Sequence, residues 1–179
     1  MLRNIGLRIT VGLWVCFFIF AFLTVRLVRV ESDSMAQTLI SGDHLLVCKV
    51  RPWESSSLAL MSPKRFDIIV YRVPGEGMLR VKRVIGVPRD SVRIHDGKVV
   101  LNGANLAEEY VFHMEGHNLH GEYWPSRIIA ASKLGYVVPE DHYFVLGDNR
   151  AQSEDSRRMG PVSSRDVLGV ALLILRRRH

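Results

Sequence analysis

Ser34 stands in a short polar stretch, residues 31–39, that reads Glu-Ser-Asp-Ser-Met-Ala-Gln-Thr-Leu. A serine hydroxyl is a poor nucleophile at neutral pH and needs a nearby base to take its proton. Lys82 is the candidate base. A mid-strand lysine ordinarily decorates a solvent face, but Val81, Val84 and Ile85 surround this one in a run that otherwise reads as core. Desolvation disfavours the ammonium form and can lower a lysine pKa by several units. A neutral amine within hydrogen-bond reach of Ser34 is then a general base, and it needs no carboxylate to orient it as histidine would. A third block, residues 147–157, reads Gly-Asp-Asn-Arg-Ala-Gln-Ser-Glu-Asp-Ser-Arg and is followed by Gly160-Pro161. Its density of Asp, Asn, Ser and Arg suits a rigid, internally hydrogen-bonded loop, the kind that braces an active site.

These blocks need elements to hold them. The chain has 179 residues, 47% of them apolar, enough for one compact domain with a small appendage. Residues 9–25 carry no charge and would span about 25 Å as a helix. That is slightly less than a bilayer core, and Arg8 and Arg26 can snorkel to make up the difference. No small-x-small cleavage site follows, so an uncleaved anchor is expected rather than a removed leader. Arg3 and Arg8 on one side nearly balance Arg26 and Arg29 on the other, so charge alone leaves orientation open. Much of the net charge of +6 sits there and in Arg176-Arg177-Arg178, which favours a membrane over nucleic acid as partner. Cys16 and Cys48 match no metal or redox spacing and leave the compartment open.

Beyond the anchor the pattern is strand-like. Residues 44–50 form one apolar run, residues 51–65 read as a loop, and residues 67–73 and 78–87 form a hairpin about Pro74-Gly-Glu-Gly77. Trp53 and residues 58–61 in that loop are either core or lipid contacts. A second hairpin is expected over residues 91–103, turning at Asp96-Gly97. Periodicity fades over residues 104–140, returns at 142–146, and ends in an apolar run, 167–175, too short to cross a bilayer and expected as a buried final strand. The expected division is an anchor over 1–29, a β core over 30–90 and 141–176, an inserted subdomain over 91–140 and a basic tail over 177–179.

The three blocks, in this order behind an anchor, resemble the type I signal peptidase family. That family's Ser-x-Ser-Met-x-Pro-Thr-Leu box stands here as residues 32–39, its lysine box as residues 81–90, and its Gly-Asp-Asn box as residues 147–157. The resemblance implies a mainly β fold, an antiparallel signal-peptidase-like catalytic body with a small inserted β subdomain behind one transmembrane helix. It implies a serine endopeptidase with Ser34 as nucleophile, Lys82 as general base, and the Ser32 hydroxyl with the Ser34 N–H as oxyanion hole. Ser153 would orient the lysine, with Arg83, Asp148, Asp155 and Arg157 as bracing ion pairs. Val30, Met35, Leu39 and Val81 would form shallow pockets that favour small side chains before the cleaved bond. The implied substrates are signal-peptide-bearing preproteins and the implied surroundings a bilayer, with no metal, no organic cofactor, no nucleic acid and no obligatory protein partner. The implied location is the bacterial cell membrane, single-pass, with the N-terminus cytoplasmic and the catalytic domain on the outer face. A specialised processing peptidase of the same family, such as a subunit of an organelle inner-membrane protease, is the alternative, as is an inactive membrane-tethered scaffold.

The chain departs from the pattern at four places. Gln37 replaces a proline, Asp33 stands where glycine is common, and Arg89 and Phe66 each replace a glycine. Loss of the proline should loosen the nucleophile turn. Asp33 should favour the charged lysine and so raise its pKa. Separately, His113, Glu115, His117 and His120 have side chains suited to zinc or copper, but their spacing matches no established motif and solvated loop histidines are the expectation.

Overall fold

The computed structural model describes residues 10–15, 24–50, 61–95, 97–111 and 135–176. Two antiparallel sheets dominate these residues. The larger has seven strands: β1 (Val25–Arg29), β2 (His44–Lys49), β3 (Ile68–Arg72), β4 (Leu79–Gly86), β9 (His142–Leu146), β10 (Val162–Ser163) and β11 (Val167–Leu175), in the order β1-β2-β11-β3-β4-β9-β10. The smaller has four: β5 (Ser91–His95), β6 (Lys98–Leu101), β7 (Ala104–Asn105) and β8 (Tyr136–Val137), in the order β7-β6-β5-β8.

Both expected hairpins form. β3 pairs with β4 from Ile68↔Arg83 to Arg72↔Leu79, and β5 pairs with β6 down to His95↔Lys98, leaving a two-residue turn. Gly97 in that turn has φ +73°, the left-handed conformation such a turn requires. β4 ends at Gly86 against the smaller sheet, where an added Cβ would lie 2.8 Å from Val92 and 3.2 Å from the Cβ of Phe144. Only a residue without a side chain lets the sheets pack this closely.

The first and fourth strands share a core although three strands lie between them in sheet order. Val28 and Val30 from β1 and its extension pack with Met35, Leu39, Leu45, Val47 and Val70, and Leu79 and Val81 of β4 pack against the same cluster. The large sheet therefore curls, which brings the start of β4 towards the edge strand β1.

Two expectations change here. Residues 25–29, expected within the anchor, form β1, in register with β2 from Val25↔Cys48 to Arg29↔His44. Alternation explains this: Val28 turns inward while Leu27 and Arg29 face out, a half-buried strand pattern rather than a membrane one. The last strand is not buried throughout. β11 is buried to Val170, but a register shift between Ala171 and Leu173 leaves Leu172, Leu173 and Leu175 exposed. Residues 10–15 are helical, and no helix among the described residues is long and apolar enough to cross a membrane. Most of the anchor segment, Trp53, and the cluster of His113, Glu115, His117 and His120 lie outside the described residues. Met61 packs, partly buried, against the core.

Candidate active site

The nucleophile block folds as one tight turn. Asp33–Met35 is a single 3-10 turn capped by Ser32, whose Oγ accepts from the Ser34 N–H at 3.2 Å. Ala36 N–H returns to Asp33 O at 3.0 Å, and Thr38 and Leu39 both donate to Met35 O. Ala36 at φ −51°, ψ 148° followed by Gln37 at φ +77° is a type II turn. Proline, fixed near φ −65°, cannot occupy the second of these positions. The exchange of proline for glutamine therefore changes the turn's conformation rather than simply loosening it. Phe66 (φ +73°) and Arg89 (φ +74°) also sit in the left-handed region, which is why glycine is the natural residue at both.

Lys82 leaves β4 on the same side as Val84 and its cross-strand partner Ile69, both wholly buried. Its stem is thus sunk in core, and its Nζ lies 2.6 Å from Ser34 Oγ, with a second bond donated to Val81 O at 3.2 Å. Lys82 and Ser34 are only 3% and 5% exposed. Burial lowers the lysine pKa to about 8; the negative charge of Asp155 opposes the shift, Arg80 and Arg157 assist it, and Asp148 opposes it weakly. Asp33, expected to raise this pKa, is not among the main groups that act on it. Its side chain is exposed, and what it brings to the site is its backbone carbonyl.

Adjacent Arg83 leaves the opposite face of the strand. It donates to Asp148 Oδ1 at 2.9 Å and Oδ2 at 2.7 Å, to Thr38 Oγ1 and to Phe66 O, and its guanidinium stacks 4.2 Å above the Tyr110 ring. The second ion pair lies deeper. Arg157 donates to Asp155 through Nε at 2.7 Å and Nη2 at 2.8 Å, with both side chains almost fully enclosed. Asp155 also accepts the Gly147 N–H and caps the short helix Ser156–Met159. The bracing residues thus tie residues 147–157 to the nucleophile turn on one side and to β9 on the other.

Gly147 is where backbone and site meet. A Cβ there would fall 2.2 Å from Ser153 Oγ and 2.5 Å from Ser34 O. Ser153, expected to orient Lys82, lies beside Ser34, but its hydroxyl is buried without a hydrogen-bond partner among the described residues, and no bond to Lys82 forms.

An open cleft of about 660 Å³ runs past Ser34 between β1 and the start of β4. Val30, Met35 and Val81 line it, together with Ser32, Ser34 and Lys82. Leu39 does not: it is wholly buried in the cluster beneath. Sequence reasoning missed the charged part of the wall. Arg80 lies in it, bridging Glu76 at 3.1 Å and Glu154 at 3.0 Å. The signal was its position two residues before Lys82, on the same face of a strand. A second missed pair is Arg150 with Glu108, a buried two-pronged contact that links the chain just after β7 to the 147–157 loop. Among the described residues no cluster of side chains suited to holding a metal is found.

Comparisons with known proteins agree with this fold. The family model described as "Signal peptidase, peptidase S26" matches residues 2–176. Signal peptidase I V of Bacillus subtilis (strain 168) is 34% identical over 146 residues, 79% of this chain and 80% of that protein. Signal peptidase I P of Bacillus subtilis subsp. natto is 31% identical over 176 residues, 90% of this chain and 86% of that protein. The crystal structure of a signal peptidase I from Enterococcus faecalis V583 superposes with a TM-score of 0.50 at 34% identity, covering 63% of this chain and 98% of that one. With its antiparallel body, its serine–lysine pair and a match running almost end to end, the chain belongs to the signal peptidase family, peptidase S26.

Proposed function

We propose that this protein removes signal peptides from exported preproteins, with Ser34 as nucleophile and Lys82 as general base. The observation that carries the reading is the 2.6 Å approach of Lys82 Nζ to Ser34 Oγ inside a buried setting that lowers the lysine pKa. Ser34 Oγ attacks the scissile carbonyl carbon while its proton passes to Lys82. The oxygen of the tetrahedral intermediate takes hydrogen bonds from Ser34 N–H and the Ser32 hydroxyl, which in the free enzyme bond to each other. Collapse breaks the C–N bond, and Lys82 gives its proton to the departing amine of the mature protein. Water, deprotonated by the same lysine, then hydrolyses the signal-peptide ester and frees Ser34.

The substrate would lie extended in the cleft beside β1, an edge strand of the large sheet. Shallow apolar walls at Val30, Met35 and Val81 favour alanine-sized residues at the first and third positions before the cut. Arg83–Asp148 and Asp155–Arg157 brace the dyad, and Ser153 helps to shape the lysine's surroundings. The N-terminal segment anchors the protein in a bacterial cell membrane with the catalytic body on the outer face. Exposed Leu27, Leu172, Leu173 and Leu175 at the β1 side of the sheet support contact with lipid.

The test is an assay of the detergent-solubilised full chain on a preprotein with an Ala-x-Ala site, the cut position read by mass spectrometry. Ser34→Ala and Lys82→Met should each abolish cleavage with the fold retained. Near-normal turnover in either would sink the dyad.

A further inference from the structure

Asn149 supplies no acid, base or nucleophile, yet it grips the nucleophile turn twice. Its backbone N–H donates to Ser34 O at 3.1 Å, and its side-chain Nδ2 donates to Asp33 O at 3.2 Å. Each of those carbonyls belongs to a planar trans peptide whose N–H points the opposite way. Holding Asp33 O therefore fixes the direction of Ser34 N–H, and holding Ser34 O fixes the peptide that follows. Asp33 O is held from a second side by Ala36 N–H at 3.0 Å.

The amide is oriented by what its nitrogen faces. Nδ2 also reaches Gln152 Oε1 at 3.4 Å, while Oδ1 is buried with no partner among the described residues. Leaving such an acceptor unpaired is unfavourable. The side chain keeps that cost in order to present a donor to Asp33 O. A second point concerns the resting state. Ser34 N–H bonds to Ser32 Oγ before substrate arrives, so on charge development it must exchange that partner for the oxyanion. With the peptide gripped at both carbonyls, the exchange is made by rotation of the Ser32 side chain and the N–H stays aimed.

We propose that Asn149 is the positioning residue of the oxyanion hole, clamping the two peptide planes around Ser34 so that Ser34 N–H points at the developing oxyanion. This rests on Ser34 being the nucleophile, and the experiment separates the two claims.

The 179-residue chain in detergent is assayed on the Ala-x-Ala preprotein from about pH 6 to 10. Asn149→Ala removes the Nδ2 donor and keeps the backbone bond; Asn149→Asp keeps the shape but turns an acceptor oxygen towards Asp33 O. The expected result is a kcat lowered about 10- to 100-fold, less than the loss on deleting an oxyanion donor outright. N149D should lose at least as much as N149A, with KM within about twofold and the acid limb of the pH profile unmoved. Because both residues serve the same oxyanion, the N149A/S32A double variant should lose less than the product of the single losses. A kcat within about twofold of normal, a loss carried by KM, a displaced acid limb or a multiplicative double variant would each overturn the proposal. Loss of the folded state in both Asn149 variants would overturn it too, assigning the residue to stability. Ser34→Ala run alongside distinguishes the failures: full turnover there removes the nucleophile reading itself, whereas an inactive S34A beside normal Asn149 variants removes only the clamp.

Discussion

Replacing Lys82 with methionine should stabilise the fold relative to wild type most at neutral pH and progressively less as pH rises. Burial lowers the lysine from its ordinary 10.5 to about 8. A difference of that size is worth about 3 kcal/mol at about 1.4 kcal/mol per pH unit. The folded pKa lies below the unfolded one, so between them the unfolded chain holds more protons and wild-type stability climbs with pH. The cost of the buried ammonium is full below pH 8 and gone above 10.5. Methionine has a similar length and never ionises, so its variant lacks this dependence. Tyr71 and Tyr110, both raised by burial, are common to the two proteins and cancel in the difference. The absolute offset also contains the lost contact with Ser34, so the slope is the quantity to read. Urea unfolding of both proteins at intervals between pH 7 and 10.5 gives it. The gap should shift by about 3 kcal/mol in favour of wild type across that window. The acid limb of wild-type kcat/KM, which reports the free enzyme's base, should fall at the same pH of about 8. A gap that stays constant with pH refutes the buried-lysine reasoning, and a bend at one pH with an acid limb at another refutes Lys82 as the kinetic base.

Arg89→Gly should raise stability by about 0.5–1 kcal/mol, because it relieves a left-handed residue and gives up only the exposed Arg89–Glu140 ion pair. Gln37→Pro, although it restores the family's residue, should destabilise the protein and reduce turnover, since φ +77° excludes proline; thermal melts with a cleavage assay check both. Asp155→Ala strands the buried Arg157 guanidinium and removes a helix cap, so a loss of about 3–5 kcal/mol is expected in urea unfolding. A loss below about 1 kcal/mol would show that the pair is solvated.

The meeting of Ser34 and Lys82 was legible because it depends on residue type. A lysine set among Val81, Val84 and Ile85 can be read from a string of letters, and so can a serine preceded by Ser-x. The hairpin turns were legible for the same reason, since Asp96-Gly97 and Pro74-Gly-Glu-Gly77 announce their own backbone angles. What escaped depended on neighbours distant in sequence. Leu39 looks like a pocket residue until Leu45 and Val47 close over it. Residues 25–29 look like the end of an anchor until β2 supplies a pairing partner. Asp33 promised an electrostatic effect on Lys82, but its side chain faces water while its carbonyl makes the useful contact. Asn149 could not be singled out, because its importance lies in which carbonyls it meets. The departures at Phe66 and Arg89 were visible as letters, and only the φ angles showed what those positions demand.

Lys82 and Arg83 are neighbours that project to opposite faces of β4, one towards Ser34 and the other towards Asp148. A strand that slips by a single residue keeps its ladder of backbone bonds but exchanges its faces. In this protein such a slip would deliver a guanidinium, which does not release its proton at any physiological pH, to the place where the amine belongs. The slipped molecule could still be a folded sheet, yet it would be chemically inert. Register along Ile69↔Lys82 is therefore a proofreading requirement as well as a structural one. A population of folded, well-paired but unreactive molecules is the failure to look for when β3 or β4 is altered.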